Sequence, residues 1–333
     1  MLRSKRLALA SAFFLLLLVT LNQTRASVAV SGGRWYKGNL HTHTLNSDGD
    51  STPQEVATWY REHGYQFLAL SDHNFLTDPA GLNSVLAARE KFLLLPAEEV
   101  TDAYLKNPIH VNGYNLEREV QPAHGDSVAA TIQNDVDVIR GAKGLPSLNH
   151  PNFHWAATAE DLLKVRHLSV FEVYNGHPTV NNAGGGGSMS LDEMWDVLLT
   201  AGRHVYGIAV DDAHVFKRSG QELSNPGRGW ICVRAESLAA ANIISAIETG
   251  NFYASSGVQL NDVQVSDSEY QVEIKVRPTE KFTTYFIGSE GRVLARSFDA
   301  APKYRFAGGE KYVRARIESS FGSKAWTQPT FRP

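Results

Sequence analysis

Gly38-Asn39-Leu40-His41-Thr42-His43-Thr44-Leu45-Asn46-Ser47-Asp48-Gly49 places two histidines at i and i+2, with an aspartate in an Asn-Ser-Asp-Gly turn five residues later. In an extended strand that spacing puts both imidazoles on one face. The turn then brings a carboxylate after them. Alone, His-x-His is an ordinary polar strand end. Here the rest of the chain supplies partners of the same kind.

Working outward, the same phrase recurs. Residues 35–44 read as a strand. Thr52-Pro53-Gln54-Glu55 then opens a helix with an N-cap, a proline in the first turn and a capping box, and Gly64 is placed to end it. An apolar run without alternation over 65–70 reads as a strand buried on both faces, and it ends in Ser71-Asp72-His73-Asn74. A helix over 81–91 leads to a strand over 92–96, ending near Glu98-Glu99. Another strand, over 108–114, carries His110. A helical pattern over 127–141 precedes a strand ending in Asn149-His150-Pro151. Residues 168–174 read as a strand ending in Asn175-Gly176, followed by the loop Gly184-Gly185-Gly186-Gly187. Ser190 to Glu193 opens a further helix, and the strand over 205–210 ends in Asp211-Asp212-Ala213-His214. Strands alternating with helices predict βα units around a parallel sheet or barrel, an α/β fold. Nearly every apolar strand ends in His, Asp or Glu, and that end carries the site in such folds.

From about residue 257 the pattern changes to short alternating segments over 258–276, 283–286, 293–296 and 311–318. They predict a small all-β, sandwich-like C-terminal domain over 257–333, after a first domain over 33–256.

Composition narrows the chemistry. The 333 residues are 43% hydrophobic and 20% charged, with a formal charge of −3, so no basic excess points to a nucleic-acid partner. Cys232 is the single cysteine, which excludes an intrachain disulfide and cysteine-based zinc motifs. Arg3, Lys5 and Arg6, an apolar run over 7–21 and small residues near 24–29 predict a cleavable signal peptide over 1–26, hence a periplasmic or secreted protein. Its removal takes Arg3, Lys5, Arg6 and Arg25 and no acid, moving the charge from −3 to −7. No later segment is apolar and long enough to span a membrane.

The candidate ligands are His41, His43, Asp48, His73, Glu99, His110, His150, Asp212 and His214, with Glu98 open as a rival to Glu99. Imidazole mixed with carboxylate suits zinc, manganese or iron, and nine ligands suit two or three ions. These stretches, in this order, resemble the PHP (polymerase and histidinol phosphatase) family over roughly residues 35–256. The resemblance implies a distorted (β/α)7 barrel and a two- or three-metal site. It implies that His41, His43, Glu99 and Asp212 hold one ion, and that Glu99 bridges to a second held by His110 and His150. Asp48, His73 and His214 would hold a third; the family often has His where this chain has Asp48. Phe171-Glu172-Val173-Tyr174-Asn175-Gly176, residues 251–257 and Ala325-Trp326-Thr327-Gln328-Pro329 resemble the exported branch that includes the aryl-carbamate (carbaryl) hydrolases.

The implied function is a metal-dependent hydrolase in which bound ions acidify a water, so that no Ser or Cys nucleophile is needed. The leading substrate is a small-molecule phosphoester; the alternatives are a carbamate, amide or ester, or a metal-bearing binding protein without catalysis. Asp72 is expected to serve catalysis by orienting His73, and His177 to donate a proton to the leaving group. By the resemblance, Glu172 and Asn175 are expected to orient ligands or bind substrate, and Lys217 and Arg228, with Lys37, are expected to meet a phosphate. The glycine loop reads equally as a lid or as a plain surface loop.

Overall fold

The computed structural model describes residues 33–332, so the signal-like segment over 1–26 lies outside the described residues. β1 (Arg34–Asn39) leads into the His-x-His stretch. α1 (Pro53–Glu62) starts as its sequence dictates. The Thr52 hydroxyl accepts from the Glu55 N–H at 3.3 Å, and the Glu55 carboxylate accepts from the Thr52 N–H at 2.8 Å. Gly64, at φ +77°, turns the chain away from the helix end. β2 (Phe67–Leu70) is buried on both faces, as a run without alternation requires. There follow α2 (Ala80–Glu90), β3 (Leu93–Tyr104), β4 (Asn107–Tyr114), α3 (Val128–Gly141) and β5 (Leu145–Leu148). The chain continues with α4 (Ala159–Lys164), β6 (Val170–Asn175), α5 (Leu191–Thr200) and β7 (Tyr206–Val210). β8 (Trp230–Ala235), α6 (Ala240–Glu248) and β9 (Phe252–Ser255), which the sequence reading did not place, complete the first part.

β1, β2 and β3 pair in parallel, as do β5, β6 and β7. Between the two sets β4 runs antiparallel to both neighbours. The cause is local: only Leu105 and Lys106 separate β3 from β4, and Leu105 takes φ +55°. A two-residue link makes a hairpin, whereas a parallel crossover needs a dozen residues or more. The ring closes beyond the strand ends, where Thr42 bridges Ala213 in parallel. There the His43 N–H donates to the Ala213 carbonyl at 2.9 Å and the Asp212 N–H to the His41 carbonyl at 3.0 Å. The distorted seven-stranded barrel is therefore closed through its own candidate ligand segments. On its other edge β1 pairs antiparallel with β8, from Arg34 to Gly38.

The C-terminal part is all-β: β10 (Leu260–Val265), β11 (Glu269–Ile274), β12 (Phe282–Ile287), β13 (Val293–Ser297), β14 (Lys303–Arg305), β15 (Tyr312–Ser319), β16 (Lys324–Thr327) and β17 (Thr330–Phe331). β10, β11 and β14 form a separate three-stranded sheet. β13, β12, β15 and β16 form an antiparallel run, and β16 pairs with β9, so the main sheet continues across residue 257. One apolar core joins Val272, Phe286 and Ile317 to Tyr60, Leu68 and Leu94 of the barrel side.

Two buried polar ties reinforce this. Gln328 brackets β7, accepting from the Gly207 N–H and donating to its carbonyl, both at 2.9 Å. Arg314 of β15, fully buried, donates to both oxygens of Asp196 on α5 at 2.9 and 2.6 Å and pairs with Asp192 at 2.9 Å. Removing one partner of a buried ion pair strands the other's charge. Arg314→Ala is expected to lower stability by about 3–5 kcal/mol, read as a shifted urea midpoint.

Candidate metal centre

Period-two alternation decides which acids reach the barrel end. Glu99, Thr101, His110 and Asn112 share one face of the β3–β4 ladder, and Glu98 lies on the other. Glu98 accepts from the Val120 N–H at 3.0 Å, outside the cluster, and burial raises its carboxyl to about 7. Glu99 is fully buried at the centre. Its oxygens lie 3.3 Å from His41, 3.4 Å from His43, 2.9 Å from His73, 3.0 Å from His110 and 3.4 Å from His150, measured to a ring nitrogen in each case. Asn149 adds a donor at 2.8 Å. Burial alone would raise the Glu99 carboxyl, but His41, His110 and His73 together hold it well below the usual range.

His41 and His43 do share a face, as i, i+2 in an extended segment should. Their Nε2 atoms are 3.2 Å apart, and Asp212 Oδ1 lies 3.3 and 3.2 Å from them. His41 Nδ1 bonds Glu172 Oε1 at 2.7 Å. A carboxylate only accepts, so His41 carries a proton on Nδ1 and turns Nε2 toward Asp212, Glu99 and His43. Lone pairs converging in a buried space require a shared cation. Burial opposes protonation of His41, yet Asp212, Glu99 and Glu172 raise its pKa well above the ordinary value. A metal ion meets the same demand. Two ligands bound at about 2.1 Å on one tetrahedral ion lie about 3.4 Å apart, close to the spacing found here. The donor set therefore fits divalent transition metals.

All nine sequence-predicted ligands fall in one cluster, as four overlapping groups with donor atoms within 4.8 Å of one another. His41, His43 and Asp212 form one, beside Glu99. His110 groups with Glu99 and His73, and His150 with Glu99 and His41, and both His110 and His150 face Glu99 Oε1. Asp48, His73 and His214 come together with His43. Asp48 is the exposed member, with 55% of its side chain accessible. Burial would raise its carboxyl, but His214 and His73 depress it. His150 at φ +22° and Asp212 at φ +51° adopt left-handed backbone. Such strain costs on the order of 1–3 kcal/mol per residue and concentrates at functional sites.

The remaining candidates take other roles. The hydrogen bonds of the Asp72 carboxylate go to Thr44, Ser47 and Thr77 and not to the His73 ring. The carboxylate accepts from the Thr44 N–H at 2.7 Å, Ser47 Oγ at 2.8 Å and Thr77 Oγ1 at 2.9 Å, fixing the loop that carries Asp48. His73 Nδ1 meets Thr101 Oγ1 at 2.6 Å instead. Asn175 is buried and saturated: it donates to Glu172 at 2.8 Å and Asp212 at 3.2 Å, and accepts from the His177 N–H at 2.8 Å. It orients carboxylates and offers nothing to a substrate. Arg228 spends its guanidinium on the carbonyls of Gly176 at 3.1 Å and Gly220 at 2.7 Å, clamping two loops. Lys217 is exposed, with its backbone N–H on Asp50 at 3.2 Å. The Lys37 ammonium lies over the rings of Tyr65 and Trp230, at 3.8 and 4.1 Å. His177 accepts from the Thr179 N–H on Nδ1 at 3.3 Å, which places its proton on Nε2. Burial, helped by His214 and His150 against Asp212, lowers its pKa. Its ring stands beside the cluster, 5.5 Å from that of His214.

Glu172, expected with Asn175 to orient ligands or bind substrate, is placed to orient them. Fully buried, it holds His41 through one oxygen and accepts from the His150 N–H at 2.7 Å through the other. The glycine loop is pinned: Asn152 donates to the Asn181 and Met189 carbonyls at 3.0 and 2.8 Å, and Gly185 and Ser188 exchange backbone hydrogen bonds at 3.1 and 2.9 Å.

A distorted seven-stranded barrel with a His, Asp and Glu cluster at its strand ends defines the PHP-like class of fold. The chain superposes on a two-domain protein of Bacteroides vulgatus containing a predicted PHP-like metal-dependent phosphoesterase, at TM-score 0.52 and 15% identity, covering 90% of this chain and 96% of that one. It also matches a candidate metal-dependent phosphoesterase of Bifidobacterium adolescentis, at TM-score 0.42, 14% identity, and 56% and 89% coverage. A third match is an amidohydrolase of Chromobacterium violaceum with bound sulfate and no metal, at TM-score 0.40, 19% identity, and 56% and 90% coverage. The last two superpose too loosely to bear on the fold. No protein-family model and no curated protein matches the chain.

Residues that orient metal ligands commonly contribute 10–100-fold to metal affinity. Glu172→Ala is expected to weaken zinc or manganese binding by about that factor in a chelator competition, with the fold retained by circular dichroism.

Proposed function

We propose that the chain is an exported, metal-dependent hydrolase of small-molecule phosphoesters. The observation that carries this is the ring of five imidazoles around one buried carboxylate, with Nε2 of His41 turned into it. The fold it shares with a protein predicted to be a PHP-like phosphoesterase supports the substrate class. The basic n-region and apolar run before residue 26 support export.

His41, His43, Glu99 and Asp212 would hold one ion, and His73, His110, His150, Asp48 and His214 further ions against Glu99 and His43. Bound divalent ions supply Lewis acidity, a water activated near neutral pH and charge neutralisation at phosphoryl oxygens. The chain's own residues do the positioning. Glu172 keeps the His41 proton on Nδ1, and Asn175 steadies Glu172 and Asp212. His177 directs an Nε2–H donor that can stabilise charge on a leaving oxygen. Cys232 is buried on β8, with its thiol pushed up to about 11 by burial, which leaves it no part as a nucleophile.

The test is hydrolysis of an aryl phosphate monoester, an aryl phosphodiester and an aryl carbamate by manganese- or zinc-loaded protein, beside His41→Ala. Phosphoester turnover that falls to background in the variant is expected. Turnover of the carbamate alone would replace the phosphoester reading, and turnover that survives His41→Ala would remove the metal centre from the reaction.

A further inference from the structure

We propose that Phe153, Trp155 and His177 form a leaving-group pocket for an aromatic ring, resting on the hydrolase reading above. A cavity of about 560 Å³ is lined by these residues with His154, Thr179 and Asn181. It adjoins the metal centre on two sides. The Phe153 ring lies 5.2 Å from the His150 ring and 6.5 Å from that of His110, and the His177 ring lies 5.5 Å from that of His214. A substrate whose ester group meets the ligand cluster would lay its other half here.

The backbone is bent to present this wall. His154 and Trp155 both take left-handed conformations, at φ +51° and +56°. Two successive non-glycine residues in that region store on the order of 1–3 kcal/mol each and persist only when their surroundings hold them. The Phe153 N–H donates to the His150 carbonyl at 2.8 Å, and the Ala157 N–H to the Pro151 carbonyl at 3.1 Å. The same turn thus bears a candidate ligand, His150, and the aromatic wall. Trp155 remains 41% exposed despite this investment, and its ring approaches Gly185, where an added Cβ would lie 3.9 Å away.

The lining chemistry selects the occupant. None of the six side chains is an acid, a lysine or an arginine. The pocket therefore offers no anchor to a phosphate, a carboxylate or an ammonium group. Two aromatic faces and one N–H donor suit a flat, neutral ring bearing an oxygen. Leu45, Phe75 and Met189, exposed on neighbouring loops, extend the apolar character of this end of the barrel.

The experiment compares phenylphosphonate with methylphosphonate binding by calorimetry, and phenyl phosphate with ethyl phosphate by kcat/KM. Metal-loaded native protein, Trp155→Ala and Trp155→Phe are used, each checked for metal content. The native chain is expected to prefer the phenyl compounds about tenfold or more, the scale of one aromatic contact plus the area it buries. In Trp155→Ala that preference is expected to fall to within about twofold of unity, and Trp155→Phe to restore most of it. Turnover with no phenyl preference in the native chain, or a preference that Trp155→Ala leaves intact, overturns the pocket alone. A stronger preference for a sugar phosphate over phenyl phosphate also overturns it. Binding and turnover of neither pair overturns the phosphoester reading itself.

Discussion

Glu99 sets the terms for the rest of the molecule. One fully buried carboxylate faces five imidazole nitrogens within 3.4 Å, and two more buried acids, Asp212 and Glu172, press on the same histidines. Removing such charge from water costs several kcal/mol per group unless partners restore the balance. The barrel can close around these residues only if protons or metal ions supply positive charge. Its closing hydrogen bonds run through His41, His43, Asp212 and Ala213, so the seal of the sheet and the assembly of the site are one event.

That coupling explains where the chain tolerates strain. His150, Asp212, His154 and Trp155 all hold left-handed backbone, and all lie at the C-terminal ends of barrel strands or on the turn after β5. Compensation comes from elsewhere. The core that joins the barrel to the C-terminal sheets, the Gln328 bracket on β7 and the Arg314 tie to α5 are remote from the ligands. The all-β part shares a sheet and a core with the barrel, and in doing so it stiffens β7 and α5 behind the site.

Much of this was legible in the residues. The capping boxes at Thr52 and Ser190 form as written, because a cap is a local hydrogen-bond contract. The nine clustered candidates could be picked out because strand-end chemistry recurs along the chain. The fold class followed from alternating helices and strands, and the described structure has that architecture. What the sequence hid depends on direction in space. Nothing local says that Asp72 turns toward Thr44 and Ser47 rather than His73, or that Arg228 is consumed by two loop carbonyls. The reversal of β4 was hidden too, because the strand over 92–96 reads as ending near Glu98-Glu99, whereas β3 runs on to Tyr104 and leaves only Leu105-Lys106 as a link. The weight of Trp155 was not readable. A loop tryptophan looks ordinary until the fold places it beside the histidines.

The most direct measurement is anomalous diffraction from crystals of the protein loaded with manganese or zinc. The account predicts at least two anomalous peaks within the cluster, one bounded by His41 Nε2, His43 Nε2 and Asp212, and another in contact with Glu99. No peak among those residues, or a single ion bound elsewhere on the chain, would contradict it.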